Sequence, residues 1–224
     1  RMERGKRVHG RVLSYSRDSR AVRALPADTR MATLRNRWFH RPILHTQLDH
    51  EKKASWLELF YDLIFVASII QLGDALSDGV DHKRGLESFL WFAIHFVPLW
   101  VCWTGFTFYS NRFDVDDLTH RLLVFLQMAA VGAVAISAPM AMRFENADPR
   151  PFEFAYAIAQ LVLVIMYARA YKHTPVARDF SRYWGSVFAV GSLLWFASIF
   201  VPTPFNYVLW VFGIASILLA PLSR

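Results

Sequence analysis

The stretch from Ser55 to Leu76, Ser-Trp-Leu-Glu-Leu-Phe-Tyr-Asp-Leu-Ile-Phe-Val-Ala-Ser-Ile-Ile-Gln-Leu-Gly-Asp-Ala-Leu, constrains the fold more than any other part of the chain. As a helix rising about 1.5 Å per residue it crosses the ~30 Å hydrocarbon core of a bilayer, yet its first half carries two carboxylates. Glu58 and Asp62 are spaced i, i+4 and share one helical face. Inserting an ionisable residue within a span costs about 2.5–3.5 kcal/mol, so its presence points to function. For Glu58 a plainer role competes, because a carboxylate at a helix entry meets the positive end of the macrodipole.

Composition places the chain in lipid. Hydrophobic residues make up 54%, with 19 Phe, 8 Trp and 8 Tyr, more apolar surface than one soluble core of this size hides. The net charge of +7 is segregated: residues 1–53 hold 14 Lys and Arg against 5 acids, a net of +9, while residues 54–224 hold 11 against 13, a net of −2. The basic arm has no apolar run of signal-peptide length, so the first span is expected to direct insertion. We expect the arm to be mostly disordered and to lie on the anionic cytoplasmic leaflet, which attracts each Lys or Arg by about 1 kcal/mol. Few aromatics and no recognised module argue against a nucleic-acid partner. His40, His45 and His50 recur every five residues, which is not the i, i+4 spacing that sets two imidazoles on one face for a metal, so neither metal nor cofactor is expected. Cys102 is the single cysteine and excludes an intrachain disulfide.

Beyond the arm, apolar spans alternate with short polar connections. Spans are expected at about 55–76, 87–109, 121–142, 153–171, 183–201 and 206–221. The predicted fold is therefore all-α, a polytopic transmembrane helix bundle of about six spans over residues 54–224, preceded by the arm of residues 1–53. Asp78-Gly79, Asp148-Pro149-Arg150-Pro151 and Pro202-Thr203-Pro204 punctuate the connections. With the arm in the cytoplasm, the inner connections hold Arg112, Arg121, Arg169, Lys172, Arg178, Arg182 and Arg224, against Lys83, Arg84, Arg143 and Arg150 outside. Together with the arm, this asymmetry sets the amino terminus inside.

The run Leu57-Glu58-Leu59-Phe60-Tyr61-Asp62-Leu63-Ile64-Phe65-Val66, followed by Gln71-Leu72, resembles the opening signature of the bacterial low temperature requirement A family. The resemblance continues through the aromatic second span, Trp100 to Asp114, and the third span from Arg121. It implies a multi-span integral membrane protein of a family named for growth in the cold, and carries no mechanism with it.

Two polar constellations follow from the expected topology. At the inner face Glu58 and Asp62 are expected at one level with Arg112, Arg121 and Arg169, whose planar forks take carboxylates bidentately. That set reads as an inner gate for an ion or anion, or as interfacial arginines snorkelling to headgroups. Toward the outer face Gln71, Asp74 and His95 share a level, where an Asp–His pair relays protons toward Asp62. The plainer reading is a His95 satisfied by a carbonyl in a helix kinked at Pro98. In span four, Tyr156 and Gln160 form a polar pair facing the bundle interior, while Asp114, Asp116 and Asp117 read as a solvated turn lacking the other ligands of a calcium loop.

Enzyme chemistry is not expected, since phosphate-binding glycine fingerprints, His-Glu-x-x-His, cysteine clusters and Gly-x-Ser-x-Gly are all missing. The expected function is an ion- or proton-coupled transporter or channel for an ion or small molecule. A structural, sensor or partner-binding membrane protein is the alternative, and a homo-oligomer fits either. The topology predicts that single cysteines at Lys83, Ala147 and Thr203 react with an impermeant thiol reagent applied outside intact cells. One at Val176 stays unlabelled, and its labelling would reverse the orientation.

Overall fold

Apolar sequence bounded by Pro, Gly and Asp forms helices that overrun the expected ends of the spans at 55–76, 87–109 and 153–171, while the last two helices stop at Ser198 and Leu218, short of the expected 201 and 221. The computed structural model describes residues 43–44, 55–81, 85–114, 117–142 and 147–223. The rest of the basic arm, and Lys83, Arg84, Arg143 and Arg224 of the orientation argument, lie outside the described residues. The elements are β1 (Ile43–Leu44), α1 (Trp56–Asp81), α2 (Gly85–Arg112), β2 (Phe113–Asp114), α3 (Leu118–Ala141), α4 (Arg150–His173), α5 (Arg178–Ser198) and α6 (Asn206–Leu218), with short 3-10 turns at Pro175–Ala177 and Ala220–Ser223. All belong to one unit, residues 39–224.

The fold is the expected helical bundle. α1 to α4 are each long and apolar enough to cross a membrane. α5 begins with Arg178, Asp179 and Arg182, and α6, with 13 residues, rises only about 20 Å, short of the ~30 Å core. Ile43–Leu44, expected within a disordered arm, pairs antiparallel with β2 in the register Ile43↔Asp114 and Leu44↔Phe113. Local chemistry sets the other boundaries. Pro151 sits in the first turn of α4, where its missing N–H costs nothing, and Pro175 stops that helix. One 3-10 turn then reverses the chain, making α4 and α5 an antiparallel hairpin.

α4 packs against α5 and α3 and also touches α2; α1 rests on α3 and α2, and α6 on α5. Large apolar side chains such as Leu63, Ile136, Leu193 and Val211 point outward, as expected for a surface meeting acyl chains. Inside, small residues let backbones approach. A Cβ on Gly105 of α2 would lie 2.6 Å from the Phe188 ring of α5 and 3.1 Å from Leu163 of α4. Ser192 of α5 donates to the Ala157 carbonyl of α4 at 2.9 Å, a direct interhelical tie.

Gly105→Ala is accordingly expected to overpack the α2–α4–α5 junction and lower stability by about 1–3 kcal/mol. Gly132→Ala, in α3 with nothing within 4 Å of its Cβ position, should be neutral or stabilising. Thermal unfolding of both variants in detergent measures the contrast.

Candidate ion-binding site in the bundle interior

The acids of α1 do not enter the bundle. The buried stripe of α1 is narrow, consisting of Tyr61, Ser68 and Leu72, because α1 touches its neighbours along one side only. At about 100° per residue, Asp62 is rotated about 100° from Tyr61 and Asp74 about 140°. Asp62, Gln71 and Asp74 are exposed, whereas His95 is fully buried, so the expected outer set of Gln71, Asp74 and His95 does not share one vestibule. Glu58 serves the helix entry. The Ser55 N–H donates to Glu58 Oε2 at 3.0 Å and the Glu58 N–H to Ser55 Oγ at 3.2 Å, a reciprocal capping box.

The expected inner set also separates. Asp62 accepts from the Trp103 indole N–H at 2.8 Å, and Trp103 precedes Arg112 by about 13 Å of helix, so Asp62 and Arg112 are not at one level. Arg112 instead lies over the Phe180 ring, 4.1 Å from its centroid, and Arg121 is exposed. Arg169 pairs with Asp117, Nη2 to Oδ2 at 2.6 Å. Asp117 is not the solvated turn residue anticipated. Its side chain is fully buried, and its other oxygen accepts from the His120 N–H at 3.0 Å as the N-cap of α3. One carboxylate thus starts α3 and binds the last turns of α4.

The interior polar residues are organised along α4. Glu153, Tyr156, Gln160 and Tyr167 lie at i, i+3, i+7 and i+14, one face, and none is more than 1% exposed. Tyr156 and Gln160 face inward as expected. Glu153 Oε1 accepts from Asn206 Nδ2 at 2.7 Å and from the Trp210 indole at 2.9 Å, both from α6, and no basic side chain among the described residues pairs with it. His95 of α2 stands against the same group, its ring edge-on to Phe152 at 4.6 Å and to Trp210 at 5.5 Å. His95 Nδ1 lies 2.8 Å from the Trp91 carbonyl. A carbonyl only accepts, so the neutral ring carries its proton on Nδ1 and leaves Nε2 a bare acceptor.

Several of these buried groups remain unsatisfied. His95 Nε2, Asn206 Oδ1, the Tyr156 hydroxyl and both amide atoms of Gln127 and of Gln160 have no hydrogen-bond partner among the described residues. The Gln127 amide lies beside Tyr61 and the Gln160 amide beside Tyr156, without completing bonds of good geometry. Each polar group buried without a partner costs about 1–3 kcal/mol of desolvation. Glu153, Gln127, Asn206 and Trp210 escaped sequence reasoning. The heptad spacing of Glu153 with Tyr156 and Gln160 was the available signal.

Apolar helices with lipid-suited exteriors and charged and amide groups turned inward define a polytopic integral membrane protein. Residues 53–224 match the family described as bacterial low temperature requirement A protein (LtrA), and the chain belongs to that family. Over 130 residues it is 33% identical to an uncharacterised protein of Rhizobium meliloti (strain 1021), a match covering 57% of this chain and 29% of that protein. The chain therefore spans less than a third of that curated relative's length. No solved structure matches.

Asp117→Asn preserves a good N-cap but removes the buried charge that Arg169 Nη2 binds at 2.6 Å, and should cost about 1–3 kcal/mol. Asp62→Asn, at an exposed site still able to accept from Trp103, should cost about 1 kcal/mol or less. Melting curves of the purified variants decide between the two: a larger loss for Asp62→Asn would contradict the assignment.

Proposed function

We propose that this protein is an ion- or proton-coupled transporter or channel rather than an enzyme, and that the carboxylate it works through is Glu153. One observation carries the reading: a side chain able to hold a full negative charge is 1% exposed, accepts from two neutral donors and has no basic partner among the described residues. A carboxylate so enclosed needs a compensating positive charge, and an ion or proton arriving from outside the protein supplies it. The Tyr156 hydroxyl and the Gln160 amide, deeper along α4 and without partners of good geometry among the described residues, support a polar path continuing from Glu153. Asp62 acts at the α1–α2 seam through Trp103 in this reading, outside that path.

The amino-terminal arm is placed in the cytoplasm on the anionic leaflet, which its +9 charge favours. A homo-oligomer is the arrangement in which the outward-facing Asp62 and Asp74 escape lipid. A structural or sensor role without transport is the second reading, favoured by the closed Asp117–Arg169 pair and by the capping role of Glu58.

Glu153→Gln tests the proposal. Its amide oxygen still accepts from Asn206 and Trp210, so stability should change by about 1 kcal/mol or less, while ion or proton flux in proteoliposomes should fall to background. Wild-type flux in this variant, or no flux in the parent protein for any monovalent ion tested, would overturn it.

A further inference from the structure

We infer that the outward face of the α4–α5 hairpin seats an anionic phospholipid, with Lys172, Arg178 and Arg182 holding its headgroup phosphate and the apolar stripes that run from them taking its acyl chains. The inference concerns the surface of the bundle. It does not depend on Glu153, on the amino-terminal arm or on which side of the membrane this end faces.

Helical register carries it. At about 100° per residue Arg178 and Arg182 lie about 40° apart on α5, and Leu193 falls about 20° from Arg182. On α4, Leu161 and Ile165 fall within about 20° of Lys172. All six side chains are exposed. Because α4 and α5 are antiparallel and joined by the turn at Pro175–Ala177, both stripes pass from apolar to basic at the same end of the hairpin. Arg182 precedes Leu193 by about 16 Å of helix and Ile165 precedes Lys172 by about 10 Å. Those lengths match the ~15 Å that the chains of one leaflet occupy beneath their phosphates.

The charge of the seat is uncompensated within the described structure. At this end of the bundle Arg169 is held by Asp117, and Arg112 lies over Phe180, on the face of α5 opposite Arg178 and Arg182. The side chains of Lys172, Arg178 and Arg182 make no ion pair or hydrogen bond with another described residue. Residues 172–182 hold these three bases against one acid, Asp179, a net of +2. At the far end of the α4 stripe the only base is Arg150, and Asp148 stands beside it, its carboxylate accepting from the Arg150 N–H at 3.2 Å. A zwitterionic headgroup would bring its own cation to the seat, and a free phosphate would leave the apolar stripes unused. A lipid of net negative charge uses both parts.

The test is native mass spectrometry of the purified full chain, equilibrated in detergent with equal amounts of phosphatidylglycerol and phosphatidylcholine. The parent protein should retain phosphatidylglycerol in preference. The triple variant Lys172→Gln/Arg178→Gln/Arg182→Gln should hold it about tenfold or more weakly. Glycerol 3-phosphate, which has the phosphate without the acyl chains, should not displace the lipid. If the triple variant melts early in detergent without lipid, the single variants Arg178→Gln and Arg182→Gln decide, each expected to weaken retention about fivefold. The arm is intact in all of these variants, so binding through the arm alone would leave retention unchanged and overturn the inference. Equal retention of the two lipids by the parent would overturn it as well. Displacement by glycerol 3-phosphate would assign the three bases to a soluble phosphate instead.

Discussion

A polar side chain in a membrane bundle has no water to turn to, and the face of α4 that carries Glu153, Tyr156, Gln160 and Tyr167 is where this constraint is met. α4 lies against α2, α3 and α5, and α6 reaches its first turn through Asn206 and Trp210. The close approach at Gly105 and the Ser192–Ala157 bond hold the neighbouring backbones near enough to enclose that face. Moving α5 outward would expose Gln160 and Tyr156 to lipid, so the packing and the interior polarity depend on each other.

The two inward carboxylates are treated differently, and the difference separates lock from site. Asp117 has a guanidinium at 2.6 Å and a backbone N–H at 3.0 Å, so its charge is compensated where α3 starts and α4 ends. Arg112 over Phe180 adds α5 to that end. At the opposite end Glu153 has only neutral donors among the described residues, and Asn206 Oδ1 beside it has no partner among them. On the reading proposed for Glu153, the Asp117 end of α4 is closed and the Glu153 end is the one neutralised from outside.

The helical bundle was legible in the sequence because apolar length and Pro/Gly punctuation act locally. The inward pair Tyr156 and Gln160 was legible for the same reason: they fall mid-span, where any polar residue must turn inward. Asp62 misleads because depth in a span does not say which way a helix is rotated. That rotation is set by the Tyr61–Ser68–Leu72 stripe, through packing with α2 and α3. Glu153 and Asn206 sit at the ends of their spans, where sequence alone reads a carboxylate or amide as interfacial. Only the docking of α6 onto the start of α4 buries them. Asp117 likewise looked solvated until the end of α4 brought Arg169 to it. Ser55 and Glu58, by contrast, spelled out a capping box at the expected spacing.

The account turns on Glu153 being the interior carboxylate that exchanges with ions or protons from outside the fold. A hydrophobic carbodiimide, which modifies carboxyl groups in apolar surroundings that protons can reach, followed by mass-spectrometric mapping of the labelled carboxyls, addresses this directly. The account predicts modification at Glu153 and none at Asp117, whose oxygens are held by Arg169 and the α3 amide. Labelling confined to Asp62 and Asp74, with Glu153 untouched, would contradict it.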